Sequence, residues 1–328
     1  MITANVGLRI GAVFPQTEST SLGDIRAFVT GIESLGFESV FIADHVLGAD
    51  PEYYGEGAAY SANVPVHEPL TLMAHLAAVT SKLVLATGVL ILPQRQTALV
   101  AKQAAEVDLL SDGRLRLGVG IGWRQFEYDA LGQDFSIRGR RLEEQVELLR
   151  LLWTQPVVSF AGRWDSISHG GLNPLPIQQP IPIWFGVGRG SIPTAPPENV
   201  LRRIAALADG WSPILPGLPW PRPGAHSTDR TGKGVGGELA RSVVARVNDF
   251  RAELMPGRPL PLEGRVQVAG RSPDEWLLHT MSWLDLGATS IVAEVRRGGL
   301  KFPDEHLDIL ARFKSEMEAN VRLASAGT

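Results

Sequence analysis

The feature that most limits what this chain can fold into is a repeated switch of hydrophobic period. Eight short apolar runs, at residues 6–14, 39–43, 83–90, 115–121, 181–187, 210–214, 265–269 and 290–295, alternate with stretches striped at helical spacing. The runs are mostly continuous rather than alternating, which is how a strand buried on both faces reads. Ile25, Phe28, Val29, Ile32 and Leu35 stripe one face of residues 24–36. Leu99, Val100, Val107 and Leu110 stripe residues 97–110, with Thr97 the expected N-cap. Leu142, Val146, Leu149 and Trp153 stripe residues 140–153. The SPDE run at 272–275 spells a capping box with proline at the first helical position, and residues 304–317 form a closing helix.

Eight alternating β/α units in 328 residues predict an α/β fold, a (β/α)8 TIM barrel. The rival, a doubly wound open sheet, wants a glycine-rich turn after its first strand, and Phe14, Pro15 and Gln16 do not make one. The expectation is a single barrel domain over residues 1–328, with insertions after strands 2, 4 and 6 at residues 46–65, 154–180 and 215–237. The middle insertion contains a predicted hairpin over 157–167. Loops longer than about 12–15 residues are usually lids or disordered. The first and third follow strand ends, so they belong to the face where barrels carry their chemistry.

Composition removes several function classes. There is no cysteine, hence no disulfide, thiolate metal site or cysteine nucleophile. With 31 basic and 35 acidic residues the net charge is −4, and no basic run invites nucleic acid. No apolar stretch approaches the roughly 20 residues that cross a bilayer, and the N-terminus reads as a strand rather than a leader. The expectation is a cytoplasmic protein with a small-molecule substrate and neither a nucleic-acid nor a membrane partner; a homodimer is compatible with it. His67, His75, His169, His226, His279 and His306 show no metal-ligand spacing, and no Gly-x-Ser-x-Gly elbow occurs, so no metal is expected. Chemistry carried by a bound cofactor ranks above metal hydrolysis or covalent catalysis.

The chemical candidates sit at predicted strand ends. Asp44 and His45 close strand 2, where a carboxylate and an imidazole could exchange protons near neutral pH. Capping a loop is the plainer use of the same pair. The stretch GRLRLGVGIGW at 113–123 ends a strand in Gly118, Gly120 and Gly122. Lacking Cβ, these glycines admit either a flat ligand or a neighbouring backbone. Its spacing is not the dinucleotide fingerprint. Gly88 and Val89 mark a bulge in strand 3. Gly186 and Gly188 end strand 5 just before Arg189. Gly270 and Arg271 precede a capped helix whose N-terminus suits a phosphate. Arg296 and Arg297 follow strand 8 and could add charge there.

Taken in order, these residues resemble the luciferase-like monooxygenase superfamily, whose barrels bind FMN or the deazaflavin coenzyme F420. The match runs through GFESVFIADH at 36–45, Thr87 to Val89, AKQ at 101–103, LLSDGRL at 109–115 and GVGIGW at 118–123. It continues through Glu127, ALG at 130–132, RGR at 138–140, LW at 152–153, LNP at 172–174, PIW at 182–184 and ADGW at 208–211. The resemblance implies that Asp44 and His45 lie beside the cofactor ring, with His45 handling a proton. It implies a bulge at Gly88 and Val89, often through a non-prolyl cis peptide, supporting the ring. Gly122 and Trp123 would line the cofactor cleft, Gly186 and Gly188 would pass under its tail, and Gly270 and Arg271 would hold phosphate. Arg189, Arg271, Arg296, Arg297 and Lys301 would meet the acidic tail that distinguishes F420. The branch acting on sugar phosphates carries glutamate where this chain has Trp123, which argues against glucose-6-phosphate. The implied activity is hydride transfer between F420 and a small organic substrate. An FMN-dependent monooxygenase is the alternative, and a non-catalytic flavin-binding barrel stands behind both.

Overall fold

The structure is a computed structural model and describes residues 8–19, 21–54, 60–188, 195–215, 235–296 and 298–326. In chain order the elements begin β1 (Arg9–Val13), α1 (Leu22–Ser34), β2 (Ser39–Ile42), α2 (Pro51–Tyr54) and α3 (Pro69–Val79). Next come β3 (Val84–Thr87), β4 (Leu90–Ile91), α4 (Thr97–Leu110), β5 (Leu115–Gly120), α5 (Gln125–Ala130) and α6 (Arg138–Thr154). A hairpin of β6 (Val158–Ala161) and β7 (Ser166–Gly170) precedes β8 (Ile183–Val187), α7 (Glu198–Leu207) and β9 (Gly210–Pro213). The chain closes with α8 (Val235–Leu254), β10 (Leu262–Gln267), α9 (Pro273–Asp285), β11 (Ala288–Glu294) and α10 (Asp304–Ala326). Each of the eight apolar runs overlaps a strand, and the fold class is the (β/α)8 barrel. Most of the third insertion (216–234), residues 55–59 of the first, Arg189 and Arg297 lie outside the described residues.

By contacts the chain divides into two compact units. The first comprises Met1–Pro15, Gly23–Val40 and Gly186–Thr328. Here β11 pairs in parallel with β1, Arg9 opposite Ser290 through Ala12 opposite Ala293. It also pairs in parallel with β10, which meets β9 through Leu262 and Trp211. Ile291, Val292 and Ala293 are fully buried, and α1 turns Ile25, Phe28, Val29 and Ile32 inward. Each such large apolar side chain removed from water favours the fold by about 1.5–3 kcal/mol. The capping box at the start of α9 forms as expected, with Ser272 and Glu275 exchanging side-chain and backbone hydrogen bonds.

The second unit comprises Gln16–Leu22 and Phe41–Phe185. Its central strand is β5, which pairs in parallel with β3 through Leu115 and Arg116, then with β4 through Val119 and Gly120. It also pairs with Ile183, Trp184 and Phe185 of β8. β3 and β4 therefore act as one strand interrupted at Gly88 and Val89, and the peptide between those two is cis, as the resemblance implies. A Cβ on Gly118 would collide with the Thr87 carbonyl oxygen, and the Thr87 hydroxyl donates to Gly118 O at 2.6 Å. Gly118 is thus small so that β3 can approach, which decides one of the two readings its spacing left open.

One expectation needs correction. The N-cap of α4 is Gln96, in extended backbone, and Thr97 is the first helical residue. The Thr97 hydroxyl instead donates to Asp165 Oδ2 at 2.8 Å and accepts from Gln145 Nε2 at 3.1 Å. It joins α4 to α6 and the hairpin turn rather than closing its own helix. Among the described residues no helix is long and apolar enough to cross a membrane.

Candidate active site

The second unit gathers the chemistry where β2 and β5 end. Asp44 and His45 follow β2 directly, and alternation along the chain sends them in different directions. Asp44 is buried, and its carboxylate accepts from Ile91 N–H at 2.9 Å and from Arg95 Nη2 at 2.8 Å and Nε at 3.3 Å. Arg95 also reaches Glu68 Oε1 at 3.0 Å, and Glu68 caps α3 by accepting Thr71 N–H at 2.6 Å. Burial alone would depress the Arg95 guanidinium, but the Asp44 and Glu68 carboxylates outweigh it and raise its pKa. Asp44, expected beside the reacting ring, is engaged in tying the β2 end to β4 and the start of α4. It positions its neighbours.

His45 has a different partner, Glu127 on α5. Its Nδ1 lies 3.1 Å from Glu127 Oε2 and 3.3 Å from Oε1, and the two side chains are 9% and 2% exposed. Glu127 Oε1 also accepts the backbone N–H groups of Val46 at 2.9 Å and Leu47 at 3.2 Å. Burial pushes the Glu127 carboxyl up. The hydrogen bond and charge of His45, the Leu47 N–H and the Arg124 guanidinium overcome that and hold it below its ordinary value. An ionised carboxylate can only accept, so Nδ1 must carry a proton, and in the neutral imidazole Nε2 is then the bare nitrogen.

Tyr60 and Trp123 frame the imidazole. The Tyr60 ring centroid lies 4.3 Å from that of His45 at 38°, and Trp123 meets the imidazole edge-on at 6.4 Å. Tyr60 holds a left-handed backbone, φ 60°, which is uncommon for a bulky side chain. Its carbonyl accepts from Ala49 N–H and Arg124 Nη1, each at 3.1 Å. Arg124 is buried under the faces of Trp123 and Phe126, at 4.7 and 5.7 Å from their centroids, and desolvation lowers its pKa. Gly122 adopts φ 62° where the chain leaves β5, with the Ile91 side chain where a Cβ would stand. The sequence pointed to His45, Gly122 and Trp123. The roles of Glu127, Arg95 and Arg124 were not visible, because their contacts with His45, Asp44 and Tyr60 span 82, 51 and 64 positions of chain.

The first unit holds the residues expected at a phosphate and a tail. Gly270 adopts φ 74° with open space where a Cβ would stand, so a ligand atom could approach its backbone. The neighbouring helix end is already partly occupied. Glu275 takes Ser272 N–H at 2.9 Å and Arg271 Nη1 at 3.0 Å, and the Ser272 N–H foremost keeps its carboxyl below the ordinary value. Any phosphate there competes with an internal carboxylate. A Cβ on Gly188, φ 100°, would strike the Ile214 carbonyl oxygen, so a neighbouring backbone accounts for its smallness. Gly186 is the fourth residue of β8. Arg296, expected to reach an acidic tail, is turned instead onto buried Glu294, Nε to Oε1 at 2.8 Å and Nη2 to Oε2 at 2.5 Å. A bidentate pair of this kind takes the arginine out of the rim.

The second unit thus carries a paired imidazole at one strand end, and the first an open glycine before a helix. The comparisons give the family. The model of luciferase-like monooxygenases matches residues 9–221, and the chain belongs to that family. An uncharacterised protein of Mycobacterium tuberculosis is 36% identical over 185 residues, covering 55% of this chain and 61% of its own. The chain thus matches about three-fifths of the length of that relative. The FMNH2-dependent dimethylsulfone monooxygenase of Pseudomonas putida is 36% identical over 125 residues, 37% of this chain and 34% of that one. Among solved structures, an F420-dependent secondary alcohol dehydrogenase with an F420–acetone adduct superposes with TM-score 0.67. It is 16% identical over 95% of this chain and 99% of that one, a likeness of fold.

Proposed function

We propose that this protein is an F420-dependent oxidoreductase that interconverts a small alcohol and its carbonyl, with His45 as the proton-handling catalytic residue. The observation that carries the reading is the His45–Glu127 pair. Glu127 fixes the proton on Nδ1 and leaves Nε2 bare, the arrangement a general base requires. Oxidising an alcohol removes a hydride from carbon and a proton from oxygen. His45 Nε2 takes the proton, and Glu127 stabilises the imidazolium that forms. In the reverse direction the imidazolium returns the proton to the carbonyl oxygen. A bound deazaflavin supplies or accepts the hydride. Gly88, Val89, Gly122 and Trp123 would hold its ring; the phosphate role of Gly270 and Arg271 and the tail role of Gly186 and Gly188 rest on the sequence resemblance alone. The exposed Trp123 indole fits such a ring. Two tail contacts, Arg189 and Arg297, belong to the proposal only through the sequence.

A second reading, an FMN-dependent monooxygenase, is favoured by the likeness to the sulfone monooxygenase. Titration with oxidised and reduced F420 and FMN, with oxygen consumption followed alongside, separates the two. The deazaflavin is a poor oxygen activator, so the proposal expects F420 binding and anaerobic turnover. Tight FMN binding with no F420 affinity at low salt would promote the monooxygenase. His45→Asn should lower turnover by roughly 10²–10⁴ with cofactor affinity nearly unchanged; equal loss of both would make His45 structural.

A further inference from the structure

One buried charge beside His45 lacks a counter-charge. Arg124 is 4% exposed, and its Nη2 is buried with no hydrogen-bond partner among the described residues. Nη1 donates to the Tyr60 carbonyl at 3.1 Å. The guanidinium carbon lies 4.7 Å from the Trp123 ring centroid and 5.7 Å from that of Phe126. The carboxylate that acts on it, Glu127, has both oxygens committed to His45 and to the Val46 and Leu47 N–H groups. Desolvation outweighs that more distant charge, and the guanidinium pKa is lowered.

Other arginines of the second unit show what a guanidinium under side chains ordinarily requires. Arg95 meets two carboxylates, Asp44 and Glu68. Arg114 gives its N–H groups to four backbone carbonyls and the Thr80 hydroxyl. A buried charge left alone loses its hydration and gains nothing in return. An idle donor on such a charge is the state of a site whose partner arrives from outside.

Position says what that partner belongs to. Tyr60 joins Arg124 to the proposed proton carrier, its carbonyl on Nη1 and its ring 4.3 Å from the His45 imidazole. A small molecule lying along Tyr60 offers one end to His45 and the other to Arg124. The Trp123 ring over the guanidinium is 45% exposed, so movement of one side chain opens the way to Nη2. A single idle nitrogen near the Glu127 charge suits a monoanion better than a phosphate dianion, which that charge repels more strongly.

We infer that the substrate carries a carboxylate, which Arg124 takes through Nη2 while the alcohol or carbonyl oxygen meets His45: a hydroxy acid and its oxo acid. The reacting group rests on the alcohol–carbonyl reading. The carboxylate does not, because it takes no part in the hydride or proton transfer and its recognition is read by binding alone.

The experiment compares 4-(1-hydroxyethyl)benzoate with the neutral amide of the same shape, 4-(1-hydroxyethyl)benzamide, by saturation-transfer NMR on the purified full chain near neutral pH. A charge-assisted bond to a guanidinium outweighs a neutral one, so the benzoate should bind at least about tenfold more tightly. Arg124→Gln should erase that preference and leave benzamide binding as it was, which also reports that the variant is folded. Arg124→Lys keeps the charge without the planar fork and should keep part of the preference. Equal binding of the two probes, no binding of either, or a preference that survives Arg124→Gln overturns the inference. So does a matching loss of F420 or FMN affinity in Arg124→Gln, which would make the cofactor's own anion the partner. A benzoate preference that Arg124→Gln erases, without turnover on either cofactor, upholds the carboxylate site, and the oxidoreductase reading is what falls.

Discussion

Tyr60 is where a single residue shows most clearly how the site is held. An aromatic side chain at φ 60° costs about 1–3 kcal/mol, and two donors grip its carbonyl to keep it there. What the conformation delivers is a ring 4.3 Å from the His45 imidazole. Replacing Tyr60 by glycine should relieve the backbone and leave the melting temperature unchanged or higher, while turnover falls because the imidazole loses its wall. Tyr60→Phe keeps the ring and should keep turnover. Parallel melts and kcat measurements on the two variants check this, and loss of stability in Tyr60→Gly would mean the ring serves packing alone. At this scale the sequence was half legible. His45 was found from its place after a strand, but the carboxylate that meets it is Glu127 and not the adjacent Asp44. Adjacency suggests contact, whereas consecutive side chains at a strand end diverge.

At the scale of elements the strands read well because burial on both faces leaves a continuous apolar run, and each of the eight runs overlaps a strand. The helices that periodicity identified are those with one apolar stripe, such as α1 and α6. It missed α3, whose sequence PLTLMAHLAAV is apolar nearly all round and buries six residues, so no stripe stands out. It also missed α7, which follows a proline pair and is only ten residues long. The Thr97 side chain suits a cap, but a tertiary bond to Asp165 claims its hydroxyl. Gly118 gives the prediction that belongs here. Its missing Cβ lets the Thr87 carbonyl sit against β5, so Gly118→Ala must push β3 away or distort β5. Overpacking of this kind costs about 1–3 kcal/mol, read as a lower denaturant midpoint at unchanged slope. An unaltered midpoint would show that the strands have slack at this layer.

Across the whole molecule, acid stability depends on buried carboxylates in both units. Glu127 belongs to the second and Glu294 to the first, and both have their pKa held below the ordinary value. For Glu294, burial works upward, and the charges of Arg296 and then Arg265, with hydrogen bonds from Arg296, overcome it. A carboxyl depressed in the folded state stabilises the fold fully above its unfolded value, about 4.3, and that stabilisation disappears as pH falls through the lower folded value. The chain should therefore be flat in stability near neutrality, as far as these two groups decide it, and should lose stability below about pH 4.3. Glu294→Gln tests the share of the first unit. At pH 7 it leaves two guanidinium groups facing a neutral amide in the interior, a loss of about 3–5 kcal/mol. Below about pH 4.3 the unfolded wild-type chain takes up a proton at this residue that the folded carboxylate resists, so the gap between variant and wild type should narrow. Urea titrations of both proteins at pH 7, 5 and 3.5 would reveal it. A gap that stays constant with pH would mean that Glu294 contributes its shape and hydrogen bonds but not its charge. A gap that widens in acid would reverse the sign argued for its pKa.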